Sequence, residues 1–125
     1  VYSQFEVQRG LPIQRLVKHF DQVGETWKIK PHLRQKIRFE QGNLLEDFSR
    51  YGRQDVIFCR NVLIYFDIET KAKVLDRLAD LLADDGYLIL GAAETVVGLT
   101  EALRPVPGRR GLYAKPETAA KAAAA

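Results

Sequence analysis

The sequence predicts an α/β fold. Two short apolar runs bounded by polar residues, Val56–Phe58 and Tyr87–Leu90, read as buried strands. Between them, Ile68 to Ala83 repeats apolar residues at helical spacing. In an open α/β sheet, ligands bind at the carboxyl edge of the strands. Arg60 and Asn61 follow the first strand and Gly91–Glu94 follows the second, so both segments leave at that edge.

The stretch Asp55–Asp67 organises the chain, supplying a strand, a polar pair, the aromatics Tyr65 and Phe66, and a helix start within thirteen residues. Asp67 is suited to cap the helix that follows. In that helix Ile68, Ala72, Leu75, Leu78, Ala79 and Leu82 form one stripe. Lys71, Lys73, Asp76, Arg77 and Asp80 lie largely outside it and read as a solvated face. Asp84-Asp85-Gly86 is expected to stop the helix.

Towards the N-terminus, Val1–Gly10 reads as a connector. Pro12 fits the first turn of a helix over Ile13–Phe20, with Ile13, Leu16, Val17 and Phe20 on one face. His19 reads as a solvated helix residue, with no second His or carboxylate at metal-ligand spacing, so no metal site is assigned. Asp21–Thr26 is a turn punctuated by Gly24. Trp27–Lys30 and Ile37–Glu40 alternate as strands do, and Pro31 ends the first. At Gln41–Leu45, Gly42 lets the backbone pass close to a ligand. Asn43 with a following N–H can read an adenine edge, and Leu44 can cover a purine face. The same residues also suit an ordinary strand-to-helix turn. Asp47–Gln54 is a loop or short helix.

Beyond Glu94, Thr95–Leu103 reads as a short irregular helix, Arg104–Gly108 as a turn-rich link and Arg109–Lys115 as a final strand. Arg109 and Arg110 read as a solvated pair. Residues 117–125 form an Ala-rich tail, frayed or weakly helical.

Composition excludes several classes. The 125 residues suit one small domain or part of a larger one, and a formal charge of +3 is too small to argue for nucleic acid. The single Cys59 rules out an intrachain disulfide framework and a cysteine metal cluster, and reads as a core thiol. No apolar run approaches the roughly 20 residues that span a bilayer. No secretory pattern opens the chain. A soluble cytoplasmic protein without membrane insertion is expected. No Ser/His/Asp or paired-carboxylate constellation is present, which argues against hydrolysis.

Phe58-Cys59-Arg60-Asn61-Val62-Leu63-Ile64-Tyr65-Phe66-Asp67 closely resembles the hallmark of the CheR family, the chemotaxis receptor methyltransferases. Glu6–Pro12, Asn43-Leu44-Leu45 and Gly86–Gly91 with Glu94 resemble further family segments in order and spacing. The resemblance covers the chain to about Pro116. It implies a SAM-dependent methyltransferase (Rossmann-like) fold, partial, with a small antiparallel β subdomain at about 24–40 that contacts the receptor. It implies transfer of a methyl group from S-adenosylmethionine (SAM) to receptor glutamates, with S-adenosylhomocysteine as product. The partner would be the cytoplasmic domain of a methyl-accepting chemotaxis receptor. By the same resemblance, Asn43, Leu44, Arg60 and Asn61 contact SAM, and Tyr65 lies near the reactive methyl as the catalytic residue.

Departures from the family pattern carry further expectations. Ala92 and Ala93 stand where many relatives have His and Ser, so polar help at that turn must come from Glu94 or Thr95. The short loop between Phe20 and Trp27 points to direct recognition of the methylation region rather than tethering to a receptor peptide. There is no methionine, no Gly-rich loop after a first strand and no acid after a second. The chain therefore reads as the C-terminal part of the enzyme. In the family strand order 3-2-1-4-5-7-6 it would supply strands 3, 4, 5, 6 and 7. Such a chain is expected to be inactive alone, to bind SAM weakly or not at all, and to be open to self-association through unpaired edges.

The chemistry is consistent with this reading. A glutamate is already ionised at neutral pH, its reference pKa being about 4.3, so in-line transfer needs positioning and water exclusion rather than a base. Two other readings stand beside it. One is a SAM-dependent N-methyltransferase, although such sites usually carry prolines where this chain has Val62-Leu63-Ile64. The other is a non-catalytic module that docks receptors or signalling partners. Independently of these, Tyr65 and Phe66 also suit core aromatics.

Overall fold

The computed structural model describes residues 1–124. The chain forms two compact units, Val1–Gln41 and Gly42–Ala125.

In the first unit, β1 (Tyr2–Ser3) leads into α1 (Gln4–Gln8), where the sequence suggests only a connector. Ser3 and Glu6 form a reciprocal capping box: the Ser3 N–H donates to the Glu6 carboxylate at 2.7 Å and the Glu6 N–H to Ser3 Oγ at 3.3 Å. Helix α2 (Ile13–His19) buries Leu16 but leaves Ile13 and Val17 exposed, so only part of the expected apolar face is covered. Phe20 is not helical. It begins β2 (Phe20–Val23), which turns at Gly24 into β3 (Thr26–Ile29). The chain folds back there because Gly24 takes φ +61° without a Cβ penalty. The sheet is antiparallel in the order β1-β3-β2, with Tyr2 opposite Trp27 and Phe20 opposite Ile29. A short helix α3 (Pro31–Arg34) follows, with Pro31 in its first turn.

The antiparallel strands thus lie at 2–29 rather than within 24–40. Ile37–Glu40 is not a strand, and Phe39 is exposed. Alternation gives a segment two faces, but a strand also needs a neighbour for its N–H and C=O groups. Among the described residues none lies beside it.

The second unit holds a four-stranded sheet in the order β4-β5-β7-β6. Strand β4 (Gln54–Cys59) runs parallel to β5 (Leu82–Leu90), with Val56 opposite Tyr87 and Cys59 opposite Leu90. Strand β7 (Leu112–Ala114) is antiparallel to β5 and to β6 (Arg104–Pro105). Pro105 is tolerated because β6 is an edge strand. Strand β4 also lies at an edge. Cys59 is buried and Ile57 half-buried, whereas Val56 is 48% and Phe58 72% exposed. The expected burial on both faces is therefore corrected: the alternation puts one face on the core and leaves the other open.

Helix α4 (Ile68–Leu81) begins at Asp67, whose carboxylate accepts the Thr70 N–H at 2.8 Å. Val74, Leu75, Leu78 and Ala79 are buried, joining Leu63, Leu82, Leu88, Leu90 and Val96 in one core. Ile68, expected in this stripe, is exposed. The helix ends at Leu81 without a glycine cap, and Asp84-Asp85-Gly86 lies inside β5. Between Gln54 and Val56 the β4–β5 register shifts, and Gly86 sits against that irregularity. A Cβ there would fall 2.8 Å from the Asp55 carbonyl oxygen and 2.8 Å from Leu82 Cδ1.

Thr95–Leu103 forms turns rather than a helix, interrupted at Gly98 with φ +79°. The Ala-rich tail is an ordered helix, α5 (Pro116–Ala124). Ala119 is buried with Val106 and Ala114, so small side chains give it a packing site that an isolated alanine helix lacks. Position 125 of the tail lies outside the described residues.

Gly86→Val is expected to lower unfolding stability by about 1–3 kcal/mol, because backbone and core must both shift to admit it. Urea denaturation checks this, and an unchanged midpoint would show that the close approach is not required.

Candidate functional site

The parallel register sets the site. Pairing Cys59 with Leu90 ends both strands together, so the segments leaving them meet. Arg60 and Asn61 leave β4, and Gly91–Glu94 leaves β5. The two segments are joined through one carboxylate. Glu94 Oε1 accepts the Asn61 N–H at 2.7 Å and the Gly91 N–H at 2.9 Å, while Oε2 accepts the Leu63 N–H at 2.9 Å. Glu94 is itself fixed: its N–H donates to the Gly91 carbonyl at 3.1 Å, and its carbonyl accepts the Tyr113 hydroxyl at 3.2 Å.

Glu94 is only 8% exposed. Burial pushes its carboxyl upward, but the N–H groups of Asn61, Gly91, Leu63 and Val62 outweigh burial and hold it below its ordinary value. The neighbouring Cys59 thiol moves the other way, raised first by burial and then by the Glu94 charge. It is a buried core thiol.

Asn61 has φ +59°, the single described non-glycine residue in the left-handed region. Asn tolerates that region better than most residues. Gly91 packs directly beneath it. A Cβ at Gly91 would fall 2.4 Å from Asn61 Oδ1 and 2.7 Å from Glu94 Oε1. Glycine is needed at this position for close approach rather than for an unusual φ.

After Asn61 the chain makes a 3-10 turn, Leu63–Tyr65. Leu63 is buried and anchors the turn, whereas Tyr65 is 80% exposed. Tyr65 is thus not a core aromatic. Phe66 is half-buried and packs on the core. Arg60 is exposed.

Asn43 and Leu44 lie in the same unit. Asn43 Oδ1 accepts the Leu45 N–H at 3.0 Å, and its carbonyl accepts the Glu46 N–H at 3.0 Å. This Asx turn commits the side-chain oxygen locally. Arg77 of α4, rather than lying free on a solvated face, donates to the carbonyls of Leu45 and Glu46 and braces the turn from the helix. Leu44 and Val62 line one apolar cavity of about 440 Å³ on the β4 side of the unit, together with Cys59 and Phe58. The structure therefore brings Leu44 to the segment that carries Asn61.

The apolar walls at Leu44 and Val62 suit the flat face of an adenosyl cofactor, whereas Asn43, Arg60, Asn61 and Tyr65 are exposed and do not line that cavity. The sequence points to Glu94 or Thr95 for polar help at this turn, and the structure gives that role to Glu94. Arg77 is a support that sequence reasoning does not single out. An acid three residues beyond a strand-ending glycine, with alanines between, is the available signal for Glu94.

Residues 1–112 match the family described as CheR methyltransferase, SAM binding domain. The chain is 41% identical over 101 residues to the chemotaxis protein methyltransferase Cher2 of Pseudomonas putida, covering 80% of this chain and 37% of that protein. A chemotaxis protein methyltransferase of Vibrio parahaemolyticus is 39% identical over 116 residues, or 92% of this chain and 42% of that protein. A probable biofilm formation methyltransferase, WspC, of Pseudomonas aeruginosa is 37% identical over 91 residues, or 71% of this chain and 22% of the relative. The family match identifies residues 1–112 as a methyltransferase SAM-binding domain. The chain belongs to the CheR methyltransferase family. It spans about two fifths of the length of the chemotaxis methyltransferases it matches.

The Glu94 carboxylate has a pH consequence. Because its folded pKa is depressed, its contribution to stability is complete above its ordinary value of 4.5 and is lost as pH falls through the lower folded value. Lys71 lines the same small cavity as Glu94, the Tyr113 hydroxyl binds its carbonyl, and Cys59 is neutral in this range. Asp47, Asp67 and Asp84 are depressed too, so a difference measurement is needed. Acid unfolding of wild type and Glu94→Gln should show a steeper loss below pH 4.5 in wild type. Parallel curves would mean that the carboxylate is not charged in the fold.

Proposed function

We propose that this chain is part of an enzyme that transfers the methyl group of SAM to glutamate side chains of chemotaxis receptors, giving methyl esters. The observation that carries the reading is the turn Arg60–Tyr65, braced by Glu94, at the carboxyl edge of a parallel strand pair. The strand order β4-β5-β7-β6 supports the Rossmann-like fold, being the 4-5-7-6 portion of the family sheet. The names of the chemotaxis relatives support the pathway.

SAM supplies the methyl group on a sulfonium centre, with S-adenosylhomocysteine as the product. Asn43 and Leu44 hold the adenine end. Arg60 and Asn61 bond the polar groups beside it. Tyr65 lies four residues beyond Asn61 and is exposed; its hydroxyl orients the incoming carboxylate while its ring favours the positive sulfur. The nucleophile is ionised at neutral pH, so no residue needs to remove a proton. The chain's contribution is alignment and exclusion of water.

The partner is the cytoplasmic domain of a methyl-accepting receptor, met in the cytoplasm through direct recognition of its methylation region. No helix of the described residues is long and apolar enough to cross a membrane. The part with the small antiparallel sheet, Val1–Gln41, meets the receptor, and Gly42 to about Pro116 carries the cofactor site. The open edge at β4, with Val56 and Phe58 exposed, supports the view that this chain alone is inactive and prone to self-association.

Radiolabelled SAM with receptor cytoplasmic domains and the complete protein tests the reading. Label should enter the receptor as an ester released by mild base. Base-stable label would indicate N-methylation, and receptor binding without transfer would favour a docking module. Within the reaction, Tyr65→Phe should lower kcat about tenfold or more with little change in SAM affinity. A large and equal loss of affinity would make Tyr65 a cofactor-binding residue instead of the group that orients the carboxylate.

A further inference from the structure

We propose that Glu94 is a positioning residue for cofactor binding: by holding the N–H groups of Asn61 and Leu63 on one carboxylate, it keeps Asn61 in the conformation that presents its amide to the cofactor. This inference rests on the reading of Asn61 as a SAM-binding residue.

Four observations carry it. First, Asn61 occupies a sparsely populated backbone region at φ +59°. Such residues persist only where their surroundings over-determine them. Second, that over-determination is visible. The N–H groups on both sides of Val62, from Asn61 at 2.7 Å and Leu63 at 2.9 Å, go to the two oxygens of Glu94. Third, Glu94 is buried and anchored at both backbone ends, so it acts on the turn rather than on a bound molecule. Fourth, Gly91 leaves no slack. The Asn61 side-chain oxygen sits where a Cβ at Gly91 would be. The carboxylate fixes the backbone of Asn61 from one side, and the absent side chain at Gly91 sets the depth of its amide from the other.

The chemistry requires an ionised acid. A carboxylate presents two acceptor oxygens and no donor. Gln at the same place keeps one acceptor but turns an NH₂ group toward a backbone N–H. At least one of the three donors is left unpaired, and the turn is free to relax to an ordinary φ.

The test uses the complete protein, with S-adenosylhomocysteine as the calorimetric probe at a temperature where circular dichroism reports each variant folded. Glu94→Gln should weaken binding about tenfold or more per folded molecule. Its KM for SAM should rise by a similar factor, with kcat at saturating SAM falling far less. A merely structural role would lower the melting temperature and leave the affinity of folded molecules unchanged. Affinity within twofold of wild type therefore overturns the inference. If Glu94→Gln does not fold, Gly91→Ala keeps the Glu94 side chain but crowds both its Oε1 and Asn61 Oδ1, and so disturbs the same contact. It should show the same loss, and normal affinity there overturns the inference.

A measurement on the wild type needs no variant. Amide hydrogen exchange at Asn61 and Leu63 should be slow and should slow further with S-adenosylhomocysteine. Exchange at open-loop rates would overturn the inference. Absence of binding by the wild type would instead refute the cofactor reading of Asn61, and the inference with it.

Discussion

A single carboxylate collects N–H groups from two segments that are distant in sequence, and the geometry of the site follows from it. Asn61 and Leu63 leave β4, Gly91 ends β5, and all three donate to Glu94. Without that acceptor the Leu63 and Gly91 donors would be left buried, where an unsatisfied N–H costs about 1–3 kcal/mol. The carboxylate is possible only because the strands end in register, Cys59 opposite Leu90. That pairing in turn depends on Gly86 in the middle of β5, where a Cβ would strike the Asp55 carbonyl. Gly86 within β5 and Gly91 just after it thus serve one purpose: they let β5 lie against β4 and let its exit lie against Asn61.

The core provides the stiffness that this arrangement needs. Val74, Leu75, Leu78 and Ala79 pack α4 with Leu82, Leu88 and Leu90 of β5, and Leu63 of the site turn joins the same cluster. The turn is therefore held by packing at Leu63 and by charge at Glu94. Helix α4 also reaches outward. Its Arg77 holds the Leu45 and Glu46 carbonyls, so one helix links the loop of Asn43 and Leu44 to the core beneath Asn61. Polar side chains held on rigid elements keep a more exact geometry than those on free loops.

The legible parts of the sequence are those in which several local signals agree. Strand β4, the Asp67 cap, the buried residues of α4 from Leu75 onward and strand β5 each have periodicity together with a boundary residue. Single signals mislead. Ile37–Glu40 alternates but has no neighbour to pair with among the described residues. Asp84-Asp85-Gly86 looks like a helix stop, yet Gly86 is there because β4 passes close to it. The turn at Gly24 and strand β3 are legible, but β2 is hidden because Phe20 continues the apolar spacing of α2 while its backbone has already become extended. The alanine tail offers no pattern at all, and its helix depends on a docking surface formed by Val106 and Ala114. At the site, Asn61 and Arg60 stand out as polar residues at a strand end. Glu94 is legible only as polar help at the turn after β5; which groups it holds depends on donors more than thirty positions earlier, which only the folded register brings within reach.

The contrast between Glu94 and Tyr65 bears on how such a site can work. Glu94 is buried and saturated with donors, so it is fixed before any ligand arrives. Tyr65 sits two residues beyond Leu63 and points its ring into the open. An exposed phenol gains little from solvent and adopts a defined pose only when something lies over it. On the proposed reading, that covering is supplied by the protein substrate. Arrival of a receptor surface then both orders the Tyr65 side chain and removes water from the carboxylate to be methylated. The rigid half of the turn would recognise what is common to every cycle, and the open half would respond to the partner that differs. That division requires the backbone between Asn61 and Tyr65 to be stiff at one end and free at the other, as the placement of Leu63 in the core and Tyr65 outside it provides.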